Sequence, residues 1–238
     1  MDAVRVILCQ LPLGVPITRP IADEMRSYRP HFVCFPEYFF VNRALGNHGQ
    51  TPHNFKRQHH RLIELSKSLD TVIIGGTMPE TVGELMYNTC FIYDRGAHIG
   101  YYRKKNLFFA EVGKITPGDT FRVFTANGIT FGVLICADVF HDDSFTAMRD
   151  LGARIVFIPT FSLKRIETVE EKHQRDHDIF VRGSRLAGAV LVKVCGVKSP
   201  YKDFLQARSL IAGPDGVIFR VRPDEEDSSI IIKQEIWT

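Results

Sequence analysis

The chain has 238 residues, of which 45% are hydrophobic and 24% are charged. These proportions are typical of a soluble globular protein, and the length suits one large domain. The formal net charge of only +3 disfavours nucleic acid or an anionic membrane as a partner. No apolar run is long enough to span a bilayer, and the opening apolar segment is too short for a signal peptide. The sequence therefore predicts a cytoplasmic protein.

The predicted elements follow from short apolar runs that alternate with longer amphipathic stretches. In chain order they are strand 4–9, helix 18–29, strand 32–35, helix 52–69, strands 71–75, 87–93, 98–102, 121–125 and 129–135, helix 144–151, strand 154–158, helix 166–186, and strands 189–195, 207–212, 217–221 and 229–234. Several strands are nearly continuous in Val, Ile, Leu and Phe, which favours strands covered on both faces. Asp215-Gly216 between two apolar runs predicts a hairpin. The pattern indicates a mixed α/β protein with helices flanking sheet.

The cysteines are odd in number and widely spaced, and no C-x-x-C pair occurs among them. This spacing disfavours a zinc ribbon or a thioredoxin-type site and predicts reduced thiols. The nine histidines show no convincing ligand spacing, so we expect no metal and no cofactor. The cysteines are Cys9, Cys34, Cys90, Cys136 and Cys195. A small buried hydrophobe is the ordinary expectation for each of them.

A carboxylate follows the second predicted strand. Pro36 ends that strand because proline cannot continue a hydrogen-bonded ladder. Glu37 comes next, beside Tyr38 and Phe39. Desolvation among aromatic rings raises a carboxyl pKa towards neutrality, which suits a general acid or base. Taken alone, this segment is better explained as a surface glutamate at the start of a loop.

Two lysines follow another predicted strand, and a cysteine follows a third. Lys104 and Lys105 come after the aromatic strand end at 101–102, where an ammonium would stabilise developing negative charge or lower a thiol pKa. Cys136 follows strand 129–135, and a strand-to-helix turn can offer backbone N–H groups that favour a thiolate. Alone, the lysine pair reads as a solvated basic turn and the cysteine as an inert buried thiol.

The residues that follow Cys136 are polar and lead into the third predicted helix. Asp142 and Ser144 are the candidate caps of that helix, because their side chains accept hydrogen bonds from backbone N–H groups in a first turn.

In this order, Glu37, Lys104 and Cys136 resemble the Glu-Lys-Cys catalytic triad of the carbon–nitrogen hydrolase (nitrilase-like) superfamily, in its amidase-type branch. The motifs that carry the resemblance are Phe35-Pro36-Glu37, Tyr87-Asn88-Thr89, Tyr102-Arg103-Lys104-Lys105-Asn106-Leu107-Phe108, Pro117-Gly118-Asp119, Gly132-Val133-Leu134-Ile135-Cys136-Ala137-Asp138 and Ser209 with Pro214-Asp215-Gly216. They are collinear over nearly the whole chain, so residues 1–238 are expected to form a single carbon–nitrogen hydrolase domain.

The resemblance implies an α/β fold, a four-layer α-β-β-α sandwich that pairs into a homodimer or a higher homo-oligomer. It assigns the functional lysine to Lys104, not Lys105. It places Glu111 where it would orient the substrate, the attacking water or Lys104. The backbone N–H of Ala137 would bind the oxyanion together with Lys104, and Asp138 would tie the turn after Cys136.

The candidate substrate-binding residues are Tyr38, Phe108, His141 and Phe161, although core packing is the simpler explanation for each. The sequence also departs from the family pattern. Phe140-His141-Asp142-Asp143 follows Cys-x-Asp instead of Arg-Phe-Pro-Glu, and Asn106 replaces a usual His. Arg182-Gly183-Ser184-Arg185-Leu186 replaces a usual Arg-Ala-x-Glu-Asn. These departures leave every member of the triad in place but alter the surroundings of the substrate.

The implied reaction is hydrolysis of a small linear carboxamide through a thioester, with release of ammonia or an amine. An amidohydrolase of N-carbamoyl compounds is an alternative, and a nitrilase is disfavoured because Ala137-Asp138 stands where true nitrilases have Trp-Glu. An acyltransferase would use the same thioester. In a different class, the chain would be a non-catalytic binding or scaffold protein on the same fold, which the intact Glu37, Lys104 and Cys136 disfavour.

Overall fold

The computed structural model describes residues 3–41, 52–198 and 205–237, except for the side chains of 52–54. The helices are α1 (Arg19–Ser27), α2 (Pro52–Leu69), α3 (Asp142–Asp150), α4 (Val169–Asp176) and α5 (Arg182–Ala187). The strands are β1 (Ala3–Gln10), β2 (Phe32–Cys34), β3 (Val72–Ile74), β4 (Met78–Val82), β5 (Leu85–Asp94), β6 (Ala97–Arg103), β7 (Val123–Ala126), β8 (Ile129–Val133), β9 (Ile155–Thr160), β10 (Val190–Cys195), β11 (Leu210–Gly213), β12 (Gly216–Arg220) and β13 (Ile230–Trp237).

The strands form two sheets. The first has the order β13-β1-β2-β3-β5-β4, with β6 also paired to β5, and the second has the order β12-β11-β10-β9-β8-β7. Parallel strands lie at the centre of each sheet, β1, β2 and β3 in one and β8, β9 and β10 in the other. Antiparallel strands flank them on both sides.

The two sheets pack face to face. Alternate residues of β1 illustrate this, because Leu8 points between the sheets and Ile7 points to the opposite face. Phe32 of one sheet meets Phe131 of the other with ring centroids 5.1 Å apart in an edge-to-face arrangement. Apolar side chains from both inner faces therefore form one central core.

Helices cover both outer faces. Met25 of α1 and Leu62 of α2 are buried against the first sheet, as the apolar spacing of 52–69 predicts. Phe145 of α3 and Phe180, which follows α4, are buried against the second sheet. The four layers are thus helix, sheet, sheet and helix, which confirms the predicted α-β-β-α sandwich.

Some predicted boundaries are wrong. No strand is predicted at β4, because Pro79 and Glu80 interrupt its pattern; proline is tolerated there because β4 lies at a sheet edge. The predicted helix 166–186 is α4 and α5 joined by a π-helical turn at His177–Val181. The predicted strand 207–212 begins only at Leu210.

Candidate active site

Glu37, Lys104 and Cys136 meet at the carboxyl ends of β2, β6 and β8. Lys104 Nζ lies 2.8 Å from Glu37 Oε1 and 2.7 Å from Glu111 Oε2. The Glu37 carboxyl and the Cys136 thiol lie close enough that each shifts the pKa of the other. In sheets with parallel strands, ligands bind in the crevice outside the carboxyl ends of those strands. The structure therefore brings the three predicted residues, and Glu111, into one site.

The turn after β2 directs Glu37 inward. Tyr38 has a positive φ of 57°, a strained conformation for a residue with a side chain, and its N–H donates to Thr77 Oγ1 at 2.9 Å. Gly76 lies against this turn with φ +65°, and a Cβ on it would come within 2.3 Å of the Pro36 carbonyl oxygen. Only glycine satisfies both the conformation and the close approach.

The end of β6 separates the two adjacent lysines. Lys104 points into the site and is 1% exposed, while Arg103 points away and binds Glu80 at 2.8 Å. Lys105 is half-buried, with its ammonium 4.4 Å from the ring centroid of Phe121. Gly118 lies against Arg103, and its N–H donates to the Lys104 carbonyl at 2.8 Å. Lys104, not Lys105, is therefore the lysine between the carboxylates.

Cys136 lies on a strained turn. Its φ is +45°, and it begins a 3-10 helix, Cys136–Phe140, which Leu134 and Ile135 connect to β8. Buried Asp138 holds this turn by accepting hydrogen bonds from the N–H groups of Ile135 and Asn106 and from the Tyr102 hydroxyl, each at 2.8 Å. The expectation that Asp138 ties the turn agrees with these contacts. Ala137, which follows the sulfur, is buried.

Further donors fix both carboxylates. Asn88 Nδ2 donates to Glu37 Oε1 at 2.8 Å and to Glu111 Oε1 at 2.9 Å. The Phe161 N–H donates to Glu37 Oε2 at 2.9 Å. Glu111 also accepts from the Tyr38 hydroxyl at 2.7 Å and from the Phe108 N–H at 2.8 Å. Because so many donors converge, neither carboxylate can rotate freely.

The two carboxyl groups have opposite pKa shifts. Burial raises the pKa of Glu37, and the neighbouring charge of Glu111 adds to that rise, while Lys104 only partly offsets it. Burial also opposes ionisation of Glu111, but the Lys104 charge and the hydrogen bonds from Lys104, Tyr38 and Phe108 outweigh it and lower its pKa. Of the two carboxyl groups, Glu111 therefore ionises more readily, and Glu37 holds a proton more readily than an ordinary glutamate.

The sulfur and the ammonium are shifted as well. Burial, followed by the Glu37 charge, raises the pKa of Cys136, with Lys104 acting in the opposite direction. Burial alone would lower the pKa of Lys104, but the charges of Glu37, Cys136 and Glu111 outweigh it and raise that pKa. The resting site therefore holds a neutral thiol beside a charged ammonium.

A cavity of about 710 Å³ opens onto these groups. Its lining includes Glu37, Lys104, Glu111 and half-buried Cys136, so the sulfur is accessible to a ligand. The Cys136 sulfur lies 3.8 Å from the carbonyl oxygen of Phe161. The volume fits a small organic molecule.

Three of the four candidate substrate-binding residues line this cavity: Tyr38, Phe108 and Phe161. His141 is exposed at the start of α3 and does not belong to the lining described by the structure, so its prediction as a pocket residue is wrong. The chain turns away from the cavity after Phe140, which instead lines it. The helix-cap prediction is also wrong: Asp142 pairs with Arg182, and Ser144 accepts from Asn106 Nδ2 at 3.1 Å.

Two features of the cavity are not predicted from the sequence. Asn88 lay in a recognised Tyr-Asn-Thr motif, but nothing there indicated that its amide bridges two carboxylates. Lys193 and Arg208 also line the cavity, and their position inside predicted strands gave a signal, since a buried strand rarely carries a charge without a reason.

All five cysteines lie in the described residues and are free thiols, as predicted. Within residues 3–41, 52–198 and 205–237, no cluster of three or more His, Cys, Asp or Glu side chains could hold a metal ion. In the same part of the chain, no helix is long and apolar enough to cross a membrane.

Comparison with known proteins identifies relatives of both the sequence and the fold. The chain is 33% identical over 99 residues to a nitrilase of Pyrococcus abyssi, and 31% identical over 109 residues to the omega-amidase NIT2 of Homo sapiens. These matches cover 41% and 42% of this chain but only 37% and 40% of the relatives. The chain thus matches about two fifths of the length of these curated relatives.

Solved structures share the whole fold. An amidase from Nesterenkonia sp. has a TM-score of 0.77 at 16% identity, and the match covers 98% of this chain and 89% of that one. Nit3 of Saccharomyces cerevisiae, a nitrilase-superfamily member, has a TM-score of 0.74 at 18% identity, covering 98% and 90%. The family model described as carbon-nitrogen hydrolase matches residues 17–234. With the matching fold and the convergent site, this shows that the chain belongs to the carbon–nitrogen hydrolase family.

Proposed function

We propose that this chain is a cysteine-dependent hydrolase that cleaves the C–N bond of a small linear carboxamide through a thioester. The observation that carries the proposal is the contact of a thiol, a carboxylate of raised pKa and a buried ammonium at one cavity. A purely structural ion pair would need neither the cavity nor the sulfur.

In the first half of the cycle, Glu37 takes the proton from Cys136 and the thiolate attacks the amide carbon. The electron pair of the carbonyl moves to oxygen, where Lys104 and the Ala137 N–H stabilise the oxyanion. Collapse of this intermediate breaks the C–N bond, and Glu37 returns its proton to the leaving ammonia. The products of this half are a thioester on Cys136 and ammonia.

In the second half, water attacks the thioester. Glu37 takes one proton from the water, and the same two donors stabilise the second oxyanion. Collapse breaks the C–S bond, the carboxylic acid leaves, and the sulfur recovers its proton from Glu37. The sum is amide plus water giving acid plus ammonia, with the enzyme unchanged.

Relatives support this class of reaction. The names of the sequence relatives include nitrilase and omega-amidase. A Nesterenkonia amidase with the same fold was solved with covalent addition of the acetamide moiety of fluoroacetamide at its active-site cysteine. In this chain Ala137-Asp138 follows the sulfur, which favours an amide over a nitrile. N-carbamoyl compounds remain the alternative substrates.

We further propose that the described residues form a single domain, because one central core joins both sheets. A homodimer and a cytoplasmic location stay predictions from the family resemblance and the sequence.

The test offers the full chain separate pools of linear amides, nitriles and N-carbamoyl acids and measures released ammonia. We expect release from amides, abolished in Cys136→Ala and retained in the control Cys90→Ala, whose thiol is buried in the central core away from the cavity. Release from none of the pools by folded protein would favour the non-catalytic alternative, and equal release by Cys136→Ala would exclude the thioester.

A further inference from the structure

The cavity extends from Cys136 to a second, charged end. Phe161 follows β9 and lies beside Cys136, while Thr160 at the end of β9 pairs with Cys195 of β10. Lys193 lies two residues earlier on β10 and points to the same face of the sheet as Cys195. Both Thr160 and Lys193 line the cavity. The cavity therefore runs from Cys136 towards Lys193.

Lys193 is a buried cation with weak pairing. Its side chain is 7% exposed, and its ammonium is 4.0 Å from Asp176 Oδ1, at the limit of an ion pair. Asp176 is shared, because Arg220 Nε lies 3.3 Å from its other oxygen. The ammonium also lies 4.7 Å from the ring centroid of Phe180. One carboxylate therefore serves two cations at this end of the cavity.

Arg208 is a second buried cation beside it. Its Nη1 donates to Glu167 at 2.5 Å, but Glu167 also binds Arg175. Within the described part of the chain, Arg208 Nε is buried and has no hydrogen-bond partner. Burial is the main cause that lowers the pKa of Arg208. The guanidinium thus retains an unused donor in a site that water reaches poorly.

The lining carries more cations than carboxylates. At the Cys136 end, Lys104 has two carboxylate partners, Glu37 and Glu111. Elsewhere the described lining has one carboxylate, Asp176, two exposed cations, Lys164 and Arg165, and three cations that are partly or fully buried, Arg175, Lys193 and Arg208. Glu167, which pairs with Arg175 and Arg208, adds one more carboxylate to this end. The net charge there is still positive. A buried excess of positive charge is stabilised by an anionic ligand group.

We propose that the Lys193–Arg208 end of the cavity binds a carboxylate of the substrate, so that the preferred substrates are monoamides of dicarboxylic acids. The amide carbon would lie at Cys136 while the second carboxylate is paired with Lys193 and Arg208. This inference rests on the proposed amide hydrolysis and adds the chemical class of the substrate. It also gives a role to the buried charges of Lys193 and Arg208, because apolar residues at these two positions would pack more stably.

The test compares pairs of amides that differ only in the far group, which is a carboxylate in one and a methyl in the other. Succinamate, glutaramate and adipamate carry a terminal carboxylate, and butanamide, pentanamide and hexanamide carry a methyl group instead. For the wild type we expect at least one carboxylate-bearing amide to exceed its methyl partner in kcat/KM by about tenfold or more, as a charged hydrogen bond contributes. In Lys193→Met this ratio should fall about tenfold, chiefly through KM of the charged amide.

The matched control is Lys233→Met, which removes a lysine on β13 that pairs with Glu24, away from the lining, and should keep the wild-type ratio. A second arm needs no variant: succinate should protect wild-type Cys136 from iodoacetamide at lower concentration than butanoate. If each methyl-terminated amide is hydrolysed with a kcat/KM equal to or higher than that of its carboxylate-bearing partner, this inference is overturned while the proposed function stays intact. Hydrolysis of none of the six amides would overturn both.

Discussion

Glu37 and Glu111 share the single ammonium of Lys104, which lies 2.8 Å from one carboxylate and 2.7 Å from the other. One buried positive charge cannot fully neutralise two negative charges, so the pair divides into two roles. Glu111, with its extra hydrogen bonds, has a lowered pKa, and Glu37 has a raised pKa, which suits the proton carrier of the proposed mechanism. Variants at Glu37, Lys104 and Asn88 test this division.

Glu37→Gln removes the proton carrier. We expect kcat/KM to fall by about 10²–10⁴, the usual contribution of a positioned acid or base. In the wild type, the acid limb of the pH–rate profile should lie above the ordinary glutamate pKa of about 4.3, because burial raises the pKa of Glu37. Steady-state kinetics between pH 4 and pH 9 measure both effects, and an acid limb at or below the ordinary value would contradict the assignment.

The same variant makes a prediction about stability. A carboxyl group whose folded-state pKa is raised holds its proton more tightly in the folded than in the unfolded chain, so it destabilises the fold as pH rises. Glutamine does not titrate. The difference in the free energy of unfolding, variant minus wild type, should therefore shift in favour of Glu37→Gln as pH rises from 4 to 8. Urea unfolding at several pH values measures it, and a shift in the other direction would refute the raised pKa.

Lys104→Gln leaves two buried carboxylates facing each other. Turnover should fall by about 10²–10³ because one oxyanion donor is lost. Stability should fall by about 3–5 kcal/mol at neutral pH, as when one partner of a buried ion pair is removed. This loss should shrink as pH falls, since protonation of Glu37 and Glu111 removes their repulsion. The matched control is Lys105→Gln, whose lysine stacks on Phe121 outside the site; near-normal turnover by folded Lys104→Gln would refute the assigned role.

Asn88→Asp tests the amide that bridges the carboxylates. Asn88 donates to both Glu37 and Glu111, so aspartate there would replace a donor with a third negative charge. A neighbouring like charge raises a carboxyl pKa, and the acid limb of the pH–rate profile should move up by about one unit or more. Exposed Asn127→Asp is the control. An unchanged acid limb would show that Asn88 does not position or tune Glu37.

Asp138→Asn tests the support of the nucleophile turn. The carboxylate accepts hydrogen bonds from Ile135, Asn106 and Tyr102, and an asparagine amide would turn one acceptor into a donor facing another donor. We expect a loss of about 1–3 kcal/mol in stability and slower alkylation of Cys136 by iodoacetamide. Exposed Asp143→Asn should leave both unchanged. Wild-type alkylation in Asp138→Asn would show that the turn holds without this carboxylate.

The sequence predicted the fold and the convergence of Glu37, Lys104 and Cys136 because motif residues at strand ends are fixed by short local segments. The choice of Lys104 over Lys105 came from the family motif, and the structure places only Lys104 between the carboxylates. Local reasoning failed where tertiary contacts decide. Asp142 looked like a helix cap but pairs with Arg182, which lies forty residues further along the chain.

The charged end of the cavity shows the same limit. Lys193 and Arg208 lie in strand-like apolar stretches, and only the packing of α4 against β10 reveals that their charges face the cavity shared with Cys136. His141 illustrates the reverse case, because its closeness to Cys136 in sequence suggested a pocket residue while the start of α3 carries it to the surface.

The central claim, a thioester on Cys136, is tested most directly by stopping wild-type turnover of an amide with acid and measuring the masses of the cysteine peptides. The account predicts an acyl group on Cys136 and on none of the other four cysteines. The Cys136 peptide should gain the mass of the amide minus the mass of ammonia. Hydroxylamine added during turnover should divert the same acyl group into a hydroxamate. Ammonia release at an unchanged rate by Cys136→Ala, or turnover that never labels Cys136, would contradict it.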